Sequence, residues 1–138
     1  MMKPAQAELV RRSFDAIWPV RRKFANRFYQ RFFALAPSAR RLFPGDMERQ
    51  HRALMDMIAA IVGALDEHDL FQSIIHHTGR RHADFGVDDS DFAAFGHALI
   101  QSLEEQFGPA FTPDLRAAWI QLYENVQNGM IRAAKQTK

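Results

Sequence analysis

Residues 74–87 read IIHHTGRRHADFGV. Three histidines, His76, His77 and His82, fall within seven positions, and Arg80 and Arg81 precede the last. A metal cluster, a single-histidine cofactor site and a solvated basic segment would each need different surroundings. Two helical ligands for one metal need a spacing of three or four, so that both side chains leave the same face. The separations here are one, five and six. His51, His68 and His97 supply no zinc pattern, and the chain has no cysteine. That also excludes disulfides, iron–sulfur clusters and a thiol nucleophile. A lone histidine under a planar cofactor is different. It needs one ring nitrogen for the metal, a wide apolar slot, and a backbone carbonyl for the other nitrogen.

The flanking sequence offers such a slot. Every periodic stretch has the helical period, and β-branched residues are scarce, so the fold class expected is all-α with six to seven helices. A first helix over about Ala5–Trp18 presents Leu9, Val10, Phe14 and Ile17. Pro19 resets the chain at the first turn of a second helix. That helix buries Phe24, Phe28, Phe32 and Leu35, with Tyr29 and Phe33 one step round. Pro37 and Pro44 bracket a short helical turn. The helix over about Met47–Leu65 carries a stripe of Gln50, Leu54, Met57, Ile61 and Leu65, widened by Met55, Ile58 and Val62. A short helix is expected over about Leu70–Arg81, ended by Gly86. The run Asp88–Asp91 then caps a helix with Phe92, Phe95, Leu99 and Leu103 on one face. Thr112 caps the last helix, which presents Leu115, Trp119, Leu122, Val126 and Met130. Twelve phenylalanines in 138 residues suit such a slot, though a Phe-rich core would use them too.

Length fits one domain over residues 1–138. No apolar run approaches the roughly 20 residues needed to span a bilayer, and the start lacks the apolar core of a signal peptide. A cytoplasmic protein with no membrane partner is expected. The net charge of +2 hides an asymmetry: residues 1–52 hold twelve Lys/Arg and four Asp/Glu, and the remainder six and twelve. This suggests a basic face for an acidic partner, although exposed helices commonly carry such charge. No basic cluster lies in a recognition motif, so no nucleic-acid partner is expected. H-E-x-x-H, G-x-S-x-G and phosphate-loop patterns are absent.

Four segments, in this order and at this spacing, carry a resemblance: FYQRFFALAPSARRLF, QHRALM, GRRHADFGV and AFTPDLRAAW. The chain resembles the globins from about Glu8 to Ala133, in particular bacterial single-domain haemoglobins and the haem domain of flavohaemoglobins. Pro37 sits where that family places a proline. The resemblance implies a globin fold around haem b (iron protoporphyrin IX), with His82 as the iron's proximal ligand and His76 and His77 as bystanders. It implies that Phe43 stacks on the porphyrin and that Leu54 crowds the ligand space. Arg81, and less so Arg80, would meet a propionate, while Val87, Phe95 and Leu99 line the walls. Tyr29 and Gln50 fall at the two distal positions, where a phenol and an amide can donate to a gas ligand.

The implied activity is reversible binding of O2, with CO and NO as further ligands. Nitric oxide dioxygenation to nitrate is implied where a separate reductase returns ferric iron to ferrous. An O2 store without turnover, a gas or redox sensor, and a haem-free helical interaction protein are the rival readings. Two departures matter. Phe92 and Ala134 stand where flavohaemoglobins place a tyrosine and a glutamate near the histidine, so the carboxylate that would push charge through His82 is missing and peroxidase-type activation is not expected. His51 directly follows Gln50, and a one-residue offset of that helix would allow bis-histidine ligation. QHRALM fits best with Gln50 distal.

Overall fold

Apolar residues three and four apart must leave water together, and this chain satisfies that demand with helices alone. The computed structural model describes residues 2–136. Among them lie six α-helices, α1 (Pro4–Ile17), α2 (Arg21–Leu35), α3 (Met47–Gly63), α4 (His68–Asp84), α5 (Asp89–Phe107) and α6 (Pro113–Gln136). Three short 3-10 turns, Trp18–Val20, Pro37–Leu42 and Gly108–Ala110, join them. None of these helices is long and apolar enough to cross a membrane.

Punctuation residues set the ends. Pro19 sits in the turn before α2 rather than in the first turn of α2 itself. Asp46 caps α3 by accepting from the Glu48 amide at 3.0 Å. At α5 the caps are reciprocal: the Asp88 carboxylate accepts from the Asp91 amide, and that of Asp91 from the Asp88 amide. The Asp88 carboxyl is held below its ordinary range mainly by the Ser90 hydroxyl, then by the Asp91 amide. Thr112 Oγ1 accepts from the Leu115 amide at 3.2 Å. The helix α4 is longer than the expected Leu70–Arg81. The added residues are His68 and Asp69 at the start, both exposed, and His82, Ala83 and Asp84 at the end, and none of them extends the apolar period. It stops at Gly86, whose φ of 79° suits glycine.

Packing places α2 across α5 and α4 along α6. Phe28 and Phe95 meet edge to face at 4.6 Å between ring centroids. The helices α1 and α6 share a buried polar chain: the Trp119 indole donates to Ser13 Oγ at 2.9 Å, and that hydroxyl reaches the Leu9 and Val10 carbonyls. The contact of α4 with α6 depends on two glycines. A Cβ on Gly79 would lie 2.7 Å from the Met130 backbone, and one on Gly129 would lie 2.6 Å from Ile75 Cγ2. Each helix thus offers a notch to the other.

Two expectations change. Leu35 is 46% exposed rather than buried. It is the last residue of α2, and the chain leaves the helical conformation at Ala36 before Pro37, which leaves Leu35 uncovered. The basic surplus of residues 1–52 is also partly used inside the fold. Arg11 pairs with Asp66, Arg27 and Arg31 both pair with Glu105, and Arg41 pairs with Asp91. Part of the basic surplus is therefore met by acidic residues later in the chain, while Lys3, Arg21, Lys23, Arg40 and Arg49 form no ion pair among the described residues.

Candidate functional site

Between α2, α3, α4, α5 and α6 lies a cavity of about 470 Å³, within the range of small-molecule and cofactor sites. All nine residues expected at the site line it: Tyr29, Phe43, Gln50, Leu54, Arg81, His82, Val87, Phe95 and Leu99. They lie on four helices and two connecting segments. His76 and His77 are exposed on α4 and do not line it. Among the described residues, no three His, Asp or Glu side chains converge to hold a metal ion.

His82 is half-buried on the last turn of α4. Its Nδ1–H donates to the Thr78 carbonyl, one turn back, at 2.8 Å. That bond fixes the tautomer and leaves the lone pair on Nε2. Burial lowers the pKa of the ring from its ordinary value, and the nearby Arg81 charge adds to this, against the opposing pull of the carbonyl. The imidazole is thus neutral and oriented, as a ligand to a metal must be. Phe92 lies nearly parallel to it, with 6.1 Å between ring centroids and 21° between planes. Phe92 contributes a flat apolar neighbour and no hydrogen bond to the ring.

The wall made by α2 and α3 carries the polar pair. Tyr29 is buried, and burial raises its pKa, so the phenol stays protonated and can donate. Among the described residues its oxygen has no hydrogen-bond partner, and the ring is held by packing. Phe28 meets it at 5.1 Å, Phe43 at 5.4 Å and Phe33 at 5.7 Å. Gln50 lines the cavity and the next residue, His51, does not. The His51 ring lies instead on that of Tyr29, 5.3 Å away and 17° from parallel.

Several lining residues were not singled out from the sequence. Thr78 supplies the carbonyl that orients His82, and its position four residues earlier on the helix was the available signal. Tyr123 donates from its hydroxyl to the Phe92 carbonyl at 2.6 Å and stacks on Phe95. It lies four residues after Trp119, beside the apolar stripe of α6. A Cβ on Gly96 would meet the Tyr123 ring at 2.6 Å, so that glycine makes the ring's place. Phe85, 66% exposed, stands at the cavity edge in the α4–α5 corner. No apolar period reaches it.

The donor set suits a planar metal cofactor of the porphyrin type. There is one neutral imidazole with its second nitrogen engaged. The walls are Phe, Leu, Met, Ile and Val, and the exposed guanidinium of Arg81 can meet a carboxylate at the edge. A hydrolytic metal would want three or more histidine or carboxylate ligands together, and no such group forms among the described residues.

Comparison with known proteins agrees with that chemistry. A family model described as Globin matches residues 26–130. The chain is 35% identical over 79 residues to a neuroglobin of Danio rerio, a match spanning 57% of this chain and 50% of that protein. It is 28% identical to a neuroglobin of Tetraodon nigroviridis over 91% of this chain and 87% of the relative. A neuroglobin of Dissostichus mawsoni is also 28% identical, over 89% and 86%. These relatives are vertebrate neuroglobins, rather than members of the bacterial group expected from the motifs.

Proposed function

Because this chain belongs to the globin family, whose members bind haem, we propose that it holds haem b through His82 and reversibly binds O2 in the space under Tyr29 and Gln50. The observation that carries the proposal is the Nδ1–H bond from His82 to the Thr78 carbonyl beside a large apolar cavity. When bound, the haem would supply the iron that takes up a diatomic gas and exchanges an electron. The residues do the rest. His82 offers Nε2 and stays neutral because it is buried. Phe43, Leu54, Val87, Phe95 and Leu99 exclude water, and Arg81 neutralises a peripheral carboxylate.

Tyr29 and Gln50 supply discrimination between gases. With haem bound, both donors would favour a gas ligand that gains partial negative charge, as O2 would, over one that gains little, as CO would. One hydrogen bond to a charged acceptor contributes about 1.5–3 kcal/mol, or roughly ten- to a hundredfold in dissociation. A protonated Tyr29 phenol, kept so by burial, fits this role. The same distal pair supports the bacterial, flavohaemoglobin-like grouping, and with it nitric oxide dioxygenation to nitrate fed by a separate reductase in the cytoplasm. Phe92 beside His82, with no carboxylate engaged by the ring, argues for ligand binding over peroxide activation.

Two measurements test this. Purified protein should show haem absorption bands that shift on reduction, and again with O2 and with CO. O2 dissociation should quicken roughly ten- to a hundredfold in Tyr29→Phe, with CO dissociation changed only a few-fold. Equal shifts for both gases, or none, would remove the phenol from the distal site. Steady nitrate formation from nitric oxide and O2 with a reductase present would separate turnover from storage.

A further inference from the structure

Tyr29 needs a fixed direction to act as a donor, and no hydrogen bond of the described residues supplies it. Its ring is set by four aromatic neighbours. Phe28 and Phe33 belong to the same helix as Tyr29, so they can hold the ring only relative to α2 itself. Phe43 follows the 3-10 turn after α2 and meets the ring at 72°, edge to face. His51 differs in origin and in geometry. It comes from α3, the helix that carries Gln50, and it lies at 17°, the flattest of the four contacts.

We propose that His51 is a positioning residue: its imidazole, stacked on Tyr29, holds the phenol in register with Gln50 so that both donors address one point in the cavity. A stack between α2 and α3 resists rotation of the Tyr29 ring about χ1 and sliding of one helix past the other. It also explains why a polar aromatic ring can stand directly beside the distal amide without lining the cavity. Half-buried, it covers the outer face of Tyr29 with a flat surface, and its nitrogens keep access to water at the edge.

The inference rests on the O2-binding reading, and the experiment separates the two. His51→Leu removes the flat ring at similar volume, and His51→Phe retains a flat ring. In haem-loaded protein, His51→Leu should speed O2 dissociation about two- to tenfold, the range set by one aromatic pair, with CO dissociation changed less than twofold. His51→Phe should restore the wild-type rate. In a Tyr29→Phe background, His51→Leu should add almost nothing, since the two residues act as a unit. Ring-proton NMR of Tyr29 in the CO form gives a readout independent of O2: ring flipping should quicken in His51→Leu and return to the slow regime in His51→Phe. Unchanged flipping in His51→Leu, equal effects on O2 and CO, or a His51→Phe variant that behaves like His51→Leu would each overturn the positioning role. If Tyr29→Phe alone leaves O2 dissociation unchanged, the O2 reading fails, and the flipping data still decide whether His51 holds the ring.

Discussion

Gly79→Ala is the most informative single substitution outside the cavity, because its consequence can be worked from one contact. The new Cβ would sit 2.7 Å from both Cα and O of Met130, where ordinary contact begins at 3.4 Å. Both atoms are backbone, so no side-chain rotation relieves the overlap. Either α4 lifts off α6 by about 0.7 Å or both helices bend, the cost expected for overpacking, about 1–3 kcal/mol. Gly79 lies one residue after Thr78 and three before His82, so the same shift moves the carbonyl–imidazole pair that orients the ligand. The haem-free protein should therefore unfold at lower denaturant by that amount. Haem dissociation from the loaded protein should quicken by roughly five- to a hundredfold as His82 loses alignment. Gly63→Ala is the control. It lies in the last turn of α3 with nothing within 4 Å of its Cβ position. The added methyl should leave stability level or raise it by up to about 1 kcal/mol through the unfolded chain. Denaturant titrations and haem transfer to an acceptor protein measure both quantities. If Gly79→Ala matched Gly63→Ala in both, the close helix crossing would not be what seats His82.

Other outcomes follow from single contacts. His82→Ala should abolish stable haem binding, as read by the haem absorption recovered with purified protein, since His76 and His77 are exposed and off the cavity. Reduced, ligand-free protein should be mainly five-coordinate, because Gln50 is a poor iron ligand and His51 is engaged with Tyr29; a six-coordinate spectrum lost in His51→Ala would contradict that arrangement. Asp88→Ala should lower stability at neutral pH by removing the cap of α5. The Asp88 pKa is depressed in the folded state, so its contribution is complete above the unfolded value near 3.8 and is lost as pH falls through the folded one. Wild-type and variant melting curves should thus converge in strong acid. Tyr123→Phe removes the donor to the Phe92 carbonyl at little change of shape, and should cost about 1 kcal/mol in denaturant unfolding.

The parts of this fold that a sequence reading reaches are those with a period or a required residue. The stripe on α6 predicted five residues, Leu115, Trp119, Leu122, Val126 and Met130, and all five are buried. The caps at Asp88 and Thr112 were legible because only a few residue types can satisfy orphan helix amides. The lining positions of the site were legible too, but through ordered resemblance: nothing in the spacing of His82 by itself distinguishes it from a surface histidine. What stayed hidden has no local signature. Leu35 follows the apolar period and is nonetheless exposed, because burial depends on what the chain does after Ala36. Likewise, Gly79 and Gly129 read as weak points in two helices until the helices are seen to cross there.

The charge pattern shows the same limit with a functional consequence. An excess of arginine in residues 1–52 reads as a docking face, and a docking face would suit electron delivery. In the folded chain Arg27 and Arg31 converge on Glu105, and Arg41 reaches the nearly buried Asp91 carboxylate at 3.6 Å. Asp91 also completes the cap of α5 and lines the cavity, so the Arg41 pair ties the turn before Phe43 to the start of the helix carrying Phe92. These arginines join the helices around the site and have little charge left for a partner. An acidic reductase would have to find its attraction at other cations, among them Lys3, Arg21, Lys23, Arg40, Arg49, Arg80 and Arg81, which form no ion pair among the described residues. Arg81 lies at the cavity edge beside exposed Phe85. Electron delivery through that edge would therefore be only mildly sensitive to salt, with a contribution from one or two charges rather than from the full basic excess of the sequence.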